Sequence, residues 1–285
     1  MGYAMSRPSR VSLAVTIVLI AAGYALTLYV FYPGLMTYDA HYVYGAIAEG
    51  WVGDWQSPVM TWLWRLIDPI APGAGSMFLL IATTYWLGFG VLAGTLARRS
   101  RPLALAVPML ALAPPAFMLV GVIWRDVLFA ALWLFAAALT LTSAETRARV
   151  RFALQAAALA LIGLGVLLRP NAILAAPILA AYALWPHQFG WKRAALAYVP
   201  AIIAFYVLIQ VVYYGALGAV RQNVLHALFV FDLGGITHFS KKNQFPVTWT
   251  PEETARLTTS CYDPTMWDVY WTRDCQFVME RLEKK

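Results

Sequence analysis

Charge is scarce in this chain. Asp, Glu, Lys and Arg together make up 12% of its 285 residues, about half the roughly 25% usual in soluble domains. Hydrophobic residues reach 61% and mean hydropathy is +0.64. A soluble core has no room to hide that much apolar surface, so an ordinary globular domain is excluded. What remains is an all-α polytopic membrane protein. Cysteine is nearly absent too, at two residues, with no His between them, so a thiolate metal centre has too few ligands. No internal repeat or low-complexity tract is present. A net charge of +7 would suggest a nucleic-acid partner in a soluble chain. In a membrane protein it asks instead on which side the charges fall.

What the sequence does have is long apolar runs. Seven can be cut, at about 11–31, 76–97, 103–123, 127–143, 152–168, 172–185 and 194–214. Lipid offers backbone groups no hydrogen-bond partners, so each run is expected to be helical, and about 20 residues cross the hydrocarbon core. The sixth run is the shortest and contains Pro177, which leaves a re-entrant hairpin as its alternative. Gly90 and Gly94 form a GxxxG spacing, read as close helix packing. Met1-Gly2…Ser6 fits a myristoylation pattern, but a long apolar run follows directly. That run lacks a clear small-x-small cleavage site and reads as a retained anchor.

Charge orients the spans. With the N-terminus cytoplasmic, the inner segments hold Arg7, Arg10, Arg98, Arg99, Arg101, Arg147, Arg149, Arg151, Lys192 and Arg193, with Glu145 their only acid. The short outer connections hold only Arg65, Arg125 and Arg169. That is the positive-inside bias, and the basic excess is a topological address. It favours seven spans, a cell-membrane location with the C-terminus outside, an outer loop at 32–75, and two domains. These are a transmembrane domain at 1–214 and an outer-face soluble segment at 215–285.

The other outer features are mostly acidic. In the first outer loop, Ala40, Val43, Tyr44, Ile47 and Trp51 recur at helical spacing, as in an amphipathic interfacial helix. Ser57-Pro58 reads as the N-cap and first position of a second helix with Val59, Met60, Leu63, Trp64 and Ile67 as its apolar stripe. Trp51, Trp55, Trp62 and Trp64 suit the headgroup level. Asp39 follows Pro33-Gly34, with a helix N-cap as its plain reading. Asp54 lies in a Gly-Asp-Trp-Gln turn. The second outer connection is Trp124-Arg125-Asp126, and the third is Arg169-Pro170-Asn171. Ionisable groups where helices enter lipid are expensive and default to function. Carboxylates beside guanidinium groups suit transfer on a phosphate-bearing lipid: one takes a proton, the other meets the phosphate.

With these residues the chain resembles the GT-C glycosyltransferases, membrane enzymes that use polyprenyl-phosphate sugars as donors. The pieces are Tyr32-Pro-Gly-Leu-Met-Thr-Tyr-Asp39, Asp54-Trp-Gln-Ser-Pro58, Trp124-Arg-Asp126 and Leu168-Arg-Pro-Asn171, within a resemblance covering roughly residues 11–280. It looks most like a bacterial branch of that superfamily whose members are mostly uncharacterised. The resemblance implies sugar transfer at the outer face of the cytoplasmic membrane. Asp39 would be the catalytic acid and Asp126 a second acidic site residue. Arg125 and Arg169 would hold the lipid phosphate, and Asp54 and Asn171 would help bind substrate. If the chemistry uses a divalent cation (magnesium or manganese), Asp39 is the residue to hold it. The partners implied are a polyprenyl-phosphate-linked sugar, membrane lipid and a glycan, lipid or protein acceptor, with no nucleic acid. Where relatives often carry His-Pro, this chain has Ser57-Pro58. The family also usually continues into further spans, which implies a C-terminally truncated member. Two alternatives stay open: a transporter or flippase-like protein, and a non-catalytic truncated membrane protein.

In the C-terminal segment, Val224–Phe231 is apolar but too short to span. Thr250 or a neighbour caps a helix at Pro251–Leu257, and Trp267–Leu282 is a second helix candidate. Cys261 and Cys275 both fall outside, where an oxidising compartment permits a disulfide. Asp232, His238, Asp263 and Asp268 could touch an acceptor, with solvated surface the plainer reading of each. His41 beside Asp39 is too little to define a metal site.

Overall fold

The structure, a computed structural model, describes residues 10–272 and 274–283; the Met1-Gly2…Ser6 pattern and Arg7 lie outside the described residues. The chain forms two compact units, Met1–Val220 and Arg221–Lys285. The first unit is a helical membrane protein. Among the described residues five helices are long and apolar enough to cross a membrane, and six if one bent pair is counted as a span.

The first of them is α1 (Arg10–Phe31). A short parallel strand β1 (Leu35–Met36) and two helices, α2 (Tyr38–Glu49) and α3 (Pro58–Ile67), then fill the first loop. Helix α4 (Ala74–Leu96) follows, then the bent pair α5 (Arg101–Ala111) and α6 (Pro114–Val120). Strand β2 (Val122–Ile123), α7 (Arg125–Ala144), α8 (Ala148–Leu168), α9 (Ala176–Leu184) and α10 (Trp191–Gln210) complete the unit.

Two expected spans break up and two lengthen. The run at 103–123 breaks at Pro114-Pro115 with a bend of 55°. A proline cannot donate to the helical ladder and biases its predecessor out of the helix. The end of that run is not helical at all: Leu35 pairs with Val122 and Met36 with Ile123. The run at 172–185 becomes a 3-10 turn at Pro170–Leu174 followed by the nine-residue α9, too short to count by length. In compensation, the runs at 127–143 and 152–168 extend to 20 and 21 helical residues.

Packing between spans is held by small residues and hydroxyls. The α1–α4 contact places Trp86 against Gly23, where a Cβ would run into the indole. The Trp86 indole N–H donates to Thr27 Oγ1 at 2.8 Å, and Thr27 in turn donates to the Gly23 carbonyl. The GxxxG reading is corrected here. A Cβ on Gly90 would make ordinary contact with Ile20 of α1 at 3.4 Å and Gly94 has open space around it, whereas a Cβ on Gly88 would sit 3.2 Å from the Phe135 backbone nitrogen of α7. Hydroxyl groups of Thr95 and Thr142 meet at 2.6 Å further along the same pair of helices. Glu145 pairs with Arg99 at 2.5 Å where both helices end.

Helices α8 and α10 point the same way. Gln155, early in α8, donates to the carbonyls of Ala183 and Leu184 at the end of α9. At the other extreme, Tyr213, just past α10, donates to Leu167 near the end of α8. Helix α9 therefore carries the chain back between them.

The first-loop helices form where the residues require them. Ser57 caps α3 by accepting from Met60 N at 3.2 Å, with Pro58 at the first helical position. Gly50 ends α2 in the left-handed region at φ 80°, which a side chain would strain. Trp64 departs from its expected place at the headgroup level. It is fully buried against Tyr44 and donates to the Gly73 carbonyl at 3.0 Å. Tyr44 braces the same corner: burial first, then the Asp68 carboxylate, push its phenol above the ordinary range.

The second unit holds α11 (Val224–Ser240), α12 (Pro251–Thr259) and α13 (Phe277–Glu283) around a core that includes Val230, Leu257, Tyr270 and Val278. Two expectations are revised. The apolar run at Val224 continues as helix to Ser240, because Gly234 lies flat beneath Tyr270 and extends the packed face. The expected helix at Trp267–Leu282 is a 3-10 turn, Trp267–Trp271, and then α13. Between these two pieces sits Cys275, joined to Cys261 in a disulfide with 5.6 Å between Cα atoms. Thr250 caps α12 in a capping box with Glu253.

Candidate functional site

Of the polar residues singled out above, Asp39, Arg125, Asp126 and Arg169 gather at the end of the helical unit where α1 finishes and α7 begins. Asp126 lies in the first turn of α7, so it is part of a helix and not of a loop. A carboxylate there faces the positive end of the helix dipole. Its Oδ1 is 2.9 Å from Nε of Arg169, which ends α8, and its Oδ2 is 4.0 Å from Nε of Arg125. Arg125 lies within electrostatic reach of Arg169, Asp126, Asp39 and Tyr213. Two guanidinium groups and two carboxylates thus share one small region. The formal charges cancel, but the like charges of Arg125 and Arg169 act on each other, and an added anion would relieve that repulsion.

Asp39 is half-buried in the first turn of α2. Thr37, not Asp39, caps that helix, accepting from Ala40 N at 3.3 Å. Asp39 therefore has no capping duty. Among the described residues the ion pairs of this region all run to Asp126, and none is formed by Asp39.

Asp54 joins from the first loop. Its Oδ2 accepts from the Tyr214 hydroxyl at 2.8 Å, and its backbone N–H donates to Val220 at 3.1 Å. Asn171 sits exposed in the 3-10 turn after Arg169 and takes no part in these contacts.

Sequence reasoning missed Tyr213 and Tyr214. The chain after α10 widens into a π-helical turn, Val211–Ala216, a feature found disproportionately at functional sites. That turn aims Tyr213 at Leu167, with Ser57, Arg125 and Asp54 around it, while Tyr214 holds Asp54. Ser57 belongs to the same brace: it is 1% exposed and donates to Leu167 at 2.9 Å. Two tyrosines ending an apolar run read as an interfacial belt, and only the widened turn gives them different aims.

Below the charged groups an apolar cleft of about 350 Å³ opens between α4, α6 and α7. Val127, Ala130, Ala131 and Leu134 line it at helical spacing, with Tyr85, Phe89 and Leu119 opposite, and Asp126 is its one charged wall residue. Tyr85 presents only its ring, because its hydroxyl donates to Ala111 at 2.6 Å. Four residues of α7 from Val127 to Leu134 correspond to roughly 10 Å of helix.

The donor set does not fit a resident divalent cation. Among the described residues no three His, Cys, Asp or Glu side chains gather to hold one, and the Asp126 carboxylate is already committed to guanidinium groups.

Fold and site together define a polytopic helical membrane protein with a charged cluster over an apolar cleft. No protein-family model, curated protein or solved structure matches the chain.

Proposed function

We propose that this protein is a membrane glycosyltransferase of the GT-C type that takes its sugar from a polyprenyl phosphate at the outer face of the cell membrane. One observation carries the reading: Asp126 lines the apolar cleft and meets Arg169 and Arg125, with Asp39 within electrostatic reach of Arg125. A lipid phosphate has an apolar chain and an anionic head, and this arrangement offers a place for each. The chain enters the cleft beside Val127 and Leu134, and the phosphate meets the two guanidinium groups.

In the transfer step the acceptor's hydroxyl oxygen bonds to the anomeric carbon as the bond from that carbon to the phosphate oxygen breaks. The acceptor's proton passes to the Asp39 carboxylate. The electron pair of the broken bond leaves on the polyprenyl phosphate, whose charge Arg125 and Arg169 offset. Asp126 holds Arg169 in position. The tyrosine-held Asp54 belongs to the acceptor side.

The same reading takes the chain across the membrane seven times. It is supported by the parallel directions of α8 and α10, which require α9 and its 3-10 turn to return between them. The bent pair likewise leads from the Arg99 end to the strand pairing beside Phe31. Arginines at 98, 99, 101, 147, 149 and 151 lie at the end opposite the charged cluster and mark the cytoplasmic side.

The test is transfer of radiolabel from a polyprenyl-phosphate sugar by the purified full chain in proteoliposomes of bacterial lipid. Asp39→Asn should abolish transfer while the protein inserts and purifies normally. Undiminished transfer by that variant would remove Asp39 from the chemistry.

A further inference from the structure

Helix α11 is apolar on two faces, and its own unit uses only one. Ala227, Val230, Gly234 and Thr237, three and four residues apart, are buried. Across the helix, Leu225, Leu228, Phe229, Ile236 and Phe239 are 68, 49, 59, 53 and 74% exposed. A helix apolar all round needs cover on every side, from protein or from lipid. We infer that this exposed stripe lies in the membrane interface and docks the C-terminal unit flat on the lipid surface.

Chain length brings the stripe to the membrane. The last long apolar helix ends at Ala216 and α11 begins at Val224. The intervening residues reach at most about 25 Å when fully extended, so the helix starts close to where the chain leaves lipid. Charge placement suits phosphate headgroups at both ends, with Arg221 before the helix and Lys242 after it, both exposed.

Asp232 selects the depth. It is exposed in the middle of the stripe, where a carboxylate is tolerated among headgroups and disfavoured in hydrocarbon. At 17 residues α11 is also shorter than the roughly 20 a crossing requires. Asp232 argues equally against a second copy as the cover. It lies midway between Leu225 and Phe239, so an antiparallel two-fold pairing of stripes would set two carboxylates against each other.

The experiment places an environment-sensitive fluorophore on Leu225→Cys, Phe229→Cys and Ile236→Cys, and on Ala255→Cys of α12 as control. The full chain is used in vesicles of phosphatidylethanolamine and phosphatidylglycerol; its own cysteines are joined to each other and do not react. Emission from the stripe positions should shift to the blue. A nitroxide near the headgroup should quench them at least twofold more than one deep in the acyl chain, while the Ala255 position stays water-like. Water-like emission along the stripe would overturn the inference. So would stronger quenching by the deep nitroxide, which means a crossing helix, or energy transfer between copies without lipid quenching, which means a self-interface.

Discussion

Asp126 Oδ1 and Arg169 Nε stand 2.9 Å apart, tying the first turn of α7 to the end of α8 at the membrane boundary. The two side chains are 42% and 33% exposed, and an ion pair that open to solvent adds no more than about 1 kcal/mol to stability. Its importance is positional. Asp126→Asn should move the thermal midpoint by only about 2–4 °C. On the function proposed above, the same change should lower sugar transfer by about 100-fold or more, the scale of a misplaced charge-stabilising group. Adding Arg169→Gln should lower transfer little further, since both act through one contact. Heating followed by size-exclusion chromatography, beside the transfer assay, separates the two effects. A large loss of stability with transfer intact would make the pair structural.

Tyr214 ties the π-helical turn to the first loop, because its hydroxyl donates to Asp54 at 2.8 Å. Hydrogen bonds to charged groups are worth about 1.5–3 kcal/mol when buried, and the half-buried position of Asp54 puts this one nearer 1 kcal/mol. Tyr214→Phe and Asp54→Asn should therefore each destabilise modestly. The double variant should cost clearly less than their sum, which a double-mutant cycle by thermal unfolding would measure. Full additivity would show that the two side chains do not depend on each other.

How far the sequence reveals this arrangement depends on what each residue costs in lipid. The ends of the spans were readable from Arg98, Arg99, Arg147 and Arg149 on one side and Asp39, Asp126 and Arg169 on the other, because charges are confined to the boundaries. Ser57-Pro58 announced α3 because capping is a local interaction. The break at Pro114-Pro115 was visible as residues, but apolar composition gives no sign of a bend. Thr37 took the capping position expected of Asp39, since the choice between neighbours two residues apart rests on backbone geometry. Tyr213 and Tyr214 acquire separate roles only through the π-helical turn, which a hydropathy pattern does not encode. Trp64 sits in the core, not at the headgroups, because Tyr44 and Gly73 are brought to it by the tertiary fold.

Close packing of α4 on α7 depends on Gly88. A Cβ there would lie 3.2 Å from the Phe135 backbone nitrogen and 3.3 Å from its Cα, and backbone cannot swing aside as a side chain can. Gly88→Leu should cost about 1–3 kcal/mol by overpacking and lower the temperature of heat-induced aggregation. Gly94→Leu, where a Cβ meets nothing within 4 Å, should leave that temperature unchanged. Equal effects at the two positions would contradict this placement of the helix contact.

Glu253 sets a pH dependence in the C-terminal unit. The Thr250 backbone N–H above all holds its carboxylate below the ordinary range; burial, the next largest effect, opposes it, and the Thr250 hydroxyl and Arg281 lower it further. The bonds are short: 2.8 Å from Thr250 N, and 2.8 and 2.9 Å from the Arg281 guanidinium. Because the folded pKa lies below the unfolded one, the stabilisation is complete above the unfolded value of about 4.3. It is lost as pH falls through the folded value. Hydrogen exchange of the first turn of α12 should therefore accelerate as pH is lowered below about 4, after correction for the intrinsic rate. Glu253→Gln should remove that acid-dependent acceleration, since a neutral amide has no proton to gain. An unchanged acid response in the variant would assign the sensitivity to another carboxylate, with Asp263 the first to examine. The Asp263 carboxyl is likewise held low, first by the Thr265 hydroxyl and then by its backbone N–H.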